Sequence, residues 1–175
     1  MLDNIKIGTK LIISFTILFI IIVAIGTTGI IYIDKITYEA GRMYQLNTEP
    51  LGAMIDIAVK YQRTRVNIRQ VILTKDSQYI DRLKELDKEM EKHLSFVEGT
   101  LASEQTKAAF AEIKKSMEAY LPVRNKIENL AVTGKTQEAI ALMDGDGFKL
   151  AKEVDDSIQK LSDLKISLAK DKYEI

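Results

Sequence analysis

The sequence has no cysteine and no tryptophan, a single histidine and only two prolines among 175 residues. Without cysteine there are no disulfides, no thiolate zinc sites and no thiol nucleophile, so a domain outside the cytoplasm must rest on packing alone. His93 is the one imidazole, and a lone imidazole cannot assemble a usual zinc or haem site. Its neighbours Met90 and Leu94 make it a surface or boundary residue, and no metal or other cofactor is expected. Acidic and basic residues balance at 25 each, which gives no electrostatic reason to expect a nucleic-acid partner. A glycine-rich phosphate loop and a nucleophile elbow are also missing. What remains for chemistry is carboxylates and arginines on helix faces, so enzymatic activity is not expected.

What the sequence does have is one long uncharged run, Leu11 to Ile33. At ~1.5 Å per residue it is long enough to cross a ~30 Å bilayer core with some tilt, and it reads as a transmembrane helix. Lys6 and Lys10 precede it on an arm spanning residues 1–10, and basic residues on so short an arm hold the N-terminus in the cytoplasm. Everything from Asp34 onward is then outside. The alternative is a cleaved signal peptide, with Ala24-Ile25-Gly26 as a small-residue cleavage site; the apolar run continues past Gly26, which favours an uncleaved anchor. Tyr32 is placed like an interfacial anchor, and Gly26-Thr27-Thr28-Gly29 offers a small-residue patch without the spacing of the GxxxG dimer motif.

Beyond the anchor, apolar residues recur every three or four positions, the helical period, through Ile36, Ala40, Met43, Leu51, Met54, Ile55, Ala58, Tyr61, Ile68 and Ile72. Pro50 removes a backbone donor and disfavours helical geometry at Glu49, so a kink or short break is expected near Asn47 to Pro50. Asp76 or Ser77 can cap a second helix carrying Ile80, Leu83, Leu86, Met90, Leu94, Val97 and Leu101. Ser103 and Glu104 open a third with Ala109, Phe110, Ile113, Met117, Tyr120, Ile127 and Leu130, in which Pro122 should make a kink. Gly134 is placed as a left-handed cap and Thr136 opens a fourth helix, with Ala139, Ile140, Met143, Leu150, Val154, Ile158, Leu161, Leu164 and Leu168 as its core positions. Gly145 and Gly147 predict a local irregularity inside it. Asp144 and Asp146 there do not continue into the spaced oxygen ligands and final glutamate of a calcium loop.

The first helix outside the membrane and the fourth are both ~60 Å long, while the middle two are shorter and tightly connected. The fold expected is all-α: a membrane-anchored, antiparallel up-down-up-down four-helix bundle over residues 34–175. If the first helix leaves the membrane, the fourth returns to it, so a second span and a cytoplasmic remainder are expected beyond Ile175.

The opening Ile5-Lys6-Ile7-Gly8-Thr9-Lys10-Leu11, the proline-interrupted first helix with Pro50, the Thr133-Gly134-Lys135-Thr136-Gln137-Glu138-Ala139 turn and the closing amphipathic helix together resemble the bacterial methyl-accepting chemotaxis proteins. The likeness is to their periplasmic four-helix-bundle sensor class and extends over the whole chain. It implies a homodimer in the inner (plasma) membrane, with the bundle outside between two membrane helices. A HAMP relay and a methylated cytoplasmic hairpin controlling a histidine kinase through an adaptor would follow, in a region this sequence does not contain.

On the first helix, Leu51, Met54, Ala58, Ile72 and Leu73 share one broad apolar arc, and Gln62, Arg65 and Arg69 fall inside it, whereas Arg63 faces away with Gly52, Asp56 and Gln70. Arg65 and Arg69 are four apart on one face, and a planar fork suits bidentate capture of a carboxylate. Gln62, Arg65 and Arg69 are therefore the candidate ligand-binding residues; their alternative role is to pair with Asp155, Asp156 or Asp163 on the neighbouring helix. In amino-acid-sensing members of the family, helix-one arginines at the dimer interface hold the ligand carboxylate, and Arg65 and Arg69 occupy the corresponding region. The register differs from the aspartate-sensing pattern, with Ile72 and Leu73 one turn on instead of a further arginine. The ligand expected is thus an amino acid, another small organic acid or a binding protein. The broad apolar arc on helix one also implies a second contact surface, through which the homodimer would form. The function expected is a chemoreceptor that senses an extracytoplasmic ligand and transmits the signal by helix displacement. The same bundle heading a sensor histidine kinase or diguanylate cyclase, or serving as a non-sensing tethered bundle, are the other readings.

Overall fold

A computed structural model describes residues 6–171, helical almost throughout and with no strand among the described residues. Helix α1 covers Ile7–Met43 and α2 Glu49–Thr74, joined by a π-helical turn at Tyr44–Thr48. Helices α3 (Ser77–Glu98) and α4 (Glu104–Val132) follow, then α5 (Thr136–Leu142), a kinked turn at Met143–Gly147 in which Gly145 leaves helical geometry (φ −89°, ψ −107°), and α6 (Phe148–Asp171). Residues 1–5 of the expected N-terminal arm and 172–175 of the expected last helix lie outside the described residues. The chain divides into two compact units between Arg42 and Met43.

The first unit is the greater part of α1. None of its residues is buried, and by length and composition its apolar stretch is able to cross a membrane. The hydroxyls of Thr16, Thr27 and Thr28 donate to the carbonyls of Ile12, Val23 and Ala24 at 2.7–2.8 Å, so these polar side chains are satisfied within their own helix.

The second unit is a four-helix bundle whose long helices are α2, α3, α4 and the α5–α6 segment. Its termini follow local chemistry. Asp76 accepts from the Gln78 amide at 2.8 Å and caps α3. Ser103 and Thr106 form a reciprocal capping box that starts α4. Gly134 ends α4 at φ +80°, the left-handed geometry that glycine adopts at no steric cost. α2 packs most extensively on α3, and α4 on the α5–α6 segment; α3 and α4 touch only sparsely. The links Lys60–Glu89 and His93–Asp56 join α2 to α3 with one number rising as the other falls, and Lys114–Glu98 and Arg124–Asp87 do the same for α3 and α4. Between them lies one core, which includes Met54, Ile57, Tyr61, Leu83, Leu86, Ile113, Ile127 and Leu161, all nearly inaccessible to solvent.

Two expectations change in detail. No break occurs near Pro50: the backbone is helical on both sides and passes through the π turn, where the Glu49 amide bonds the Tyr44 carbonyl. A proline ring collides with the carbonyl four residues back in α geometry, and the wider turn accommodates it. The carbonyl concerned, on Leu46, accepts instead from Nζ of Lys165 in α6, at 3.4 Å. α4 stays helical through Pro122. The apolar arc on helix one separates into two: Met54 and Ile72 belong to the core, while Leu73 is exposed together with Ile55, Val59 and Val66.

Candidate ligand-sensing site

The middle of α2 carries the three candidate residues. Arg65 is half-buried and its Nη1 donates to Oδ2 of Asp155 in α6 at 2.8 Å; Gln62 Nε2 donates to Oδ1 of the same carboxylate, also at 2.8 Å. Asp155 is thus held by two side chains from α2, and this contact ties α2 to α6. The pairing anticipated with Asp155 is present for Arg65. Arg69, one turn along and exposed, has no ionic partner among the described residues. Both arginines line a small cavity of about 40 Å³ against the kinked turn, facing Asp144, Gly147 and Phe148. Gly147 lets this turn close on itself and on α4, because a Cβ there would come within 2.9 Å of the Leu142 carbonyl oxygen and 3.0 Å of Ile127 Cδ1.

A second constellation lies between α3 and α4 and was missed by sequence reasoning. Arg124 is only 8% exposed, and its Nη1 and Nη2 each donate to one oxygen of Asp87 at 2.7 Å, a bidentate pair. Its Nε sits 3.0 Å from Glu128 Oε1, but off hydrogen-bonding alignment, so both of those buried atoms lack a hydrogen bond. Burial works to lower the Arg124 guanidinium, yet the Asp87 hydrogen bonds and charge outweigh it and leave the group more basic than usual. Burial raises the Glu128 carboxyl above the ordinary carboxylate range despite Arg124 beside it. Next to this cluster is a cavity of about 210 Å³ lined by residues of α2, α3 and α4, including Tyr61, Met90 and Tyr120. The Tyr61 and Tyr120 rings meet edge to face with centroids 5.8 Å apart. Tyr61 donates to the Ala151 carbonyl at 3.1 Å; the Tyr120 hydroxyl, pushed up to about 12 by burial, has no hydrogen-bond partner among the described residues.

A helical bundle with polar side chains tying helix to helix can bind a small molecule between its helices and respond by a change in their packing. The family described as a four helix bundle sensory module for signal transduction matches residues 4–174. The chain belongs to this family. It is therefore an all-α sensory module of the kind found in methyl-accepting chemotaxis proteins, and signal transduction is its coarse function. Comparison with curated proteins and with solved structures returns no match. Within the sensory module, Arg65 and Gln62 are brought together on Asp155, and Arg69 stands beside them without an ionic partner among the described residues. Arg124 left a signal in the sequence: it falls on the same stripe as Tyr120, Ile127 and Ala131, where every other member is a core residue.

Proposed function

We propose that this sensory module is the extracytoplasmic part of a chemoreceptor in the inner membrane, anchored by Leu11–Ile33 with Lys6 and Lys10 on the cytoplasmic side. An unburied apolar helix supports the anchor, since such a surface is stable in lipid and costly in water. The working unit is a homodimer through α2. Its outer face presents Ile55, Val59, Gln62, Val66, Arg69 and Leu73, all exposed and spaced 4-3-4-3-4. That is the seam by which two copies of one helix pack knobs into holes.

On this reading Gln62, Arg65 and Arg69 face a ligand carboxylate at or beside the dimer seam. The supporting observation is the inequality of the two arginines: one latched to α6 through Asp155, the other without an ionic partner among the described residues. A ligand carboxylate seated on Arg69 and reaching Arg65 competes with Asp155. α6 is then released from α2, and the two helices shift relative to each other. The ligand biases this equilibrium because it binds the unlatched state better. Kinase and adaptor control would follow downstream, as in chemoreceptors generally.

Calorimetry on the full chain in lipid nanodiscs, titrated with small amino acids and dicarboxylates, tests the reading. Arg69→Ala is expected to abolish binding, and Asp155→Asn to strengthen it about tenfold by removing the competitor. Unchanged affinity in both variants would take this face out of the sensor.

A further inference from the structure

The cavity between α3 and α4 is separate from the Arg65–Arg69 face and differs from it in chemistry. Its 210 Å³ exceeds the roughly 150 Å³ of an engineered apolar cavity that takes up benzene, so a single ring or short alkyl body fits. Tyr61, Met90 and Tyr120 form a buried wall, with half-buried Met117 and exposed Leu121 nearer solvent. Aromatic faces and thioethers of this kind favour apolar groups and attract cations. The charges at the cavity do not balance. Asp87 and Glu91 stand one turn apart on α3, and the single cation lining the site, Arg124, has both of its terminal nitrogens on Asp87. Glu91 is exposed and has no ionic partner among the described residues. A carboxylate ligand would be repelled here, and a neutral one would leave Glu91 unused.

We propose that this cavity is a second ligand site, for a small organic ammonium whose body lies among Tyr61, Met90 and Tyr120 and whose charged nitrogen meets Glu91. The hydroxyl of buried Tyr120, unpartnered among the described residues, supplies a further polar contact. Because the cavity opens where α3 and α4 touch only sparsely, an occupant bridges the two hairpins α2–α3 and α4–α6. The site rests on the cavity's own geometry and not on the reading of Arg65 and Arg69, so each stands or falls alone.

Calorimetry on the full chain in nanodiscs with phenethylammonium, 2-phenylethanol and phenylpropionate tests it. The ammonium is expected to bind saturably at one site per chain, and the neutral and anionic probes at least about tenfold more weakly. Glu91→Gln, at an exposed position that leaves the core intact, is expected to cost the ammonium about tenfold, the equivalent of one charge-assisted hydrogen bond. Leu121→Trp, which fills the mouth, should remove binding while helix content stays unchanged by circular dichroism; Arg69→Ala should leave it intact. No ammonium binding, equal binding of the three probes, or insensitivity to both Glu91→Gln and Leu121→Trp would overturn the assignment.

Discussion

Arg124 and Lys165 are two buried cations with opposite circumstances. Arg124 has its carboxylates, and removing one leaves a charge in a poorly solvated place. Asp87→Ala is therefore expected to destabilise the bundle by about 3 kcal/mol, read as a lower urea midpoint, with Asp87→Asn losing less. Lys165 is 3% exposed and among the described residues its ammonium meets only the Leu46 carbonyl and the Thr100 hydroxyl, each at 3.4 Å. Burial alone pushes its ammonium below the usual lysine value of 10.5. The unfolded chain then binds the proton more tightly than the folded one. The resulting penalty is present in full at neutral pH and fades as pH rises from the folded value towards 10.5. Relative to Lys165→Met, the natural protein should gain stability as pH rises through that alkaline window; a constant difference between the two melting curves would contradict this. Neither cation was read as a core residue, because a search for apolar periodicity passes over a charge in its row, although for Arg124 the row itself was the signal. Arg65 and Arg69 were legible because their four-residue spacing is itself a signal.

Helix starts and stops were the most legible elements. Asp76, Ser103 and Gly134 act through their own side chain or its lack, and such local chemistry needs no knowledge of the rest of the fold. The proline was read less well: its effect depends on Lys165, more than a hundred residues away. At this scale Pro50 and Lys165 should be energetically coupled. Pro50→Ala restores an amide opposite the Leu46 carbonyl, so Lys165→Met is expected to cost about 1 kcal/mol less in that background than in the natural one, by a double-mutant cycle on denaturant midpoints. The glycine turn was legible as an irregularity, though not its consequence for packing. Gly147→Ala would force a Cβ against the Leu142 carbonyl and Ile127 and should destabilise by roughly 1–3 kcal/mol, whereas nothing lies within 4 Å of a Cβ at Gly145.

For the whole molecule, the four-helix bundle and its family were legible from periodicity, caps and the anchor opening. The division of the helix-one arc was not, since sequence alone does not say which apolar positions have a partner inside the chain. The exposed seam predicts that Ile55→Glu with Val66→Glu leaves the bundle folded and weakens dimerisation at least about tenfold, measured by sedimentation of the full chain in detergent. A dimer of undiminished affinity would place the interface elsewhere. The interruption at Met143–Gly147 bears on how the gene can vary. Gly145 stands outside helical geometry, so a codon lost there falls where the helix is already broken and leaves the faces of α6 in place. The same loss between Phe148 and Val154, where the helix is continuous, turns every later residue by about 100° against the other helices. Asp155 then leaves Arg65, Lys165 leaves Leu46, and solvent-facing side chains swing inward. An in-frame deletion is silent or ruinous to this bundle according to whether it falls in the turn or beyond it.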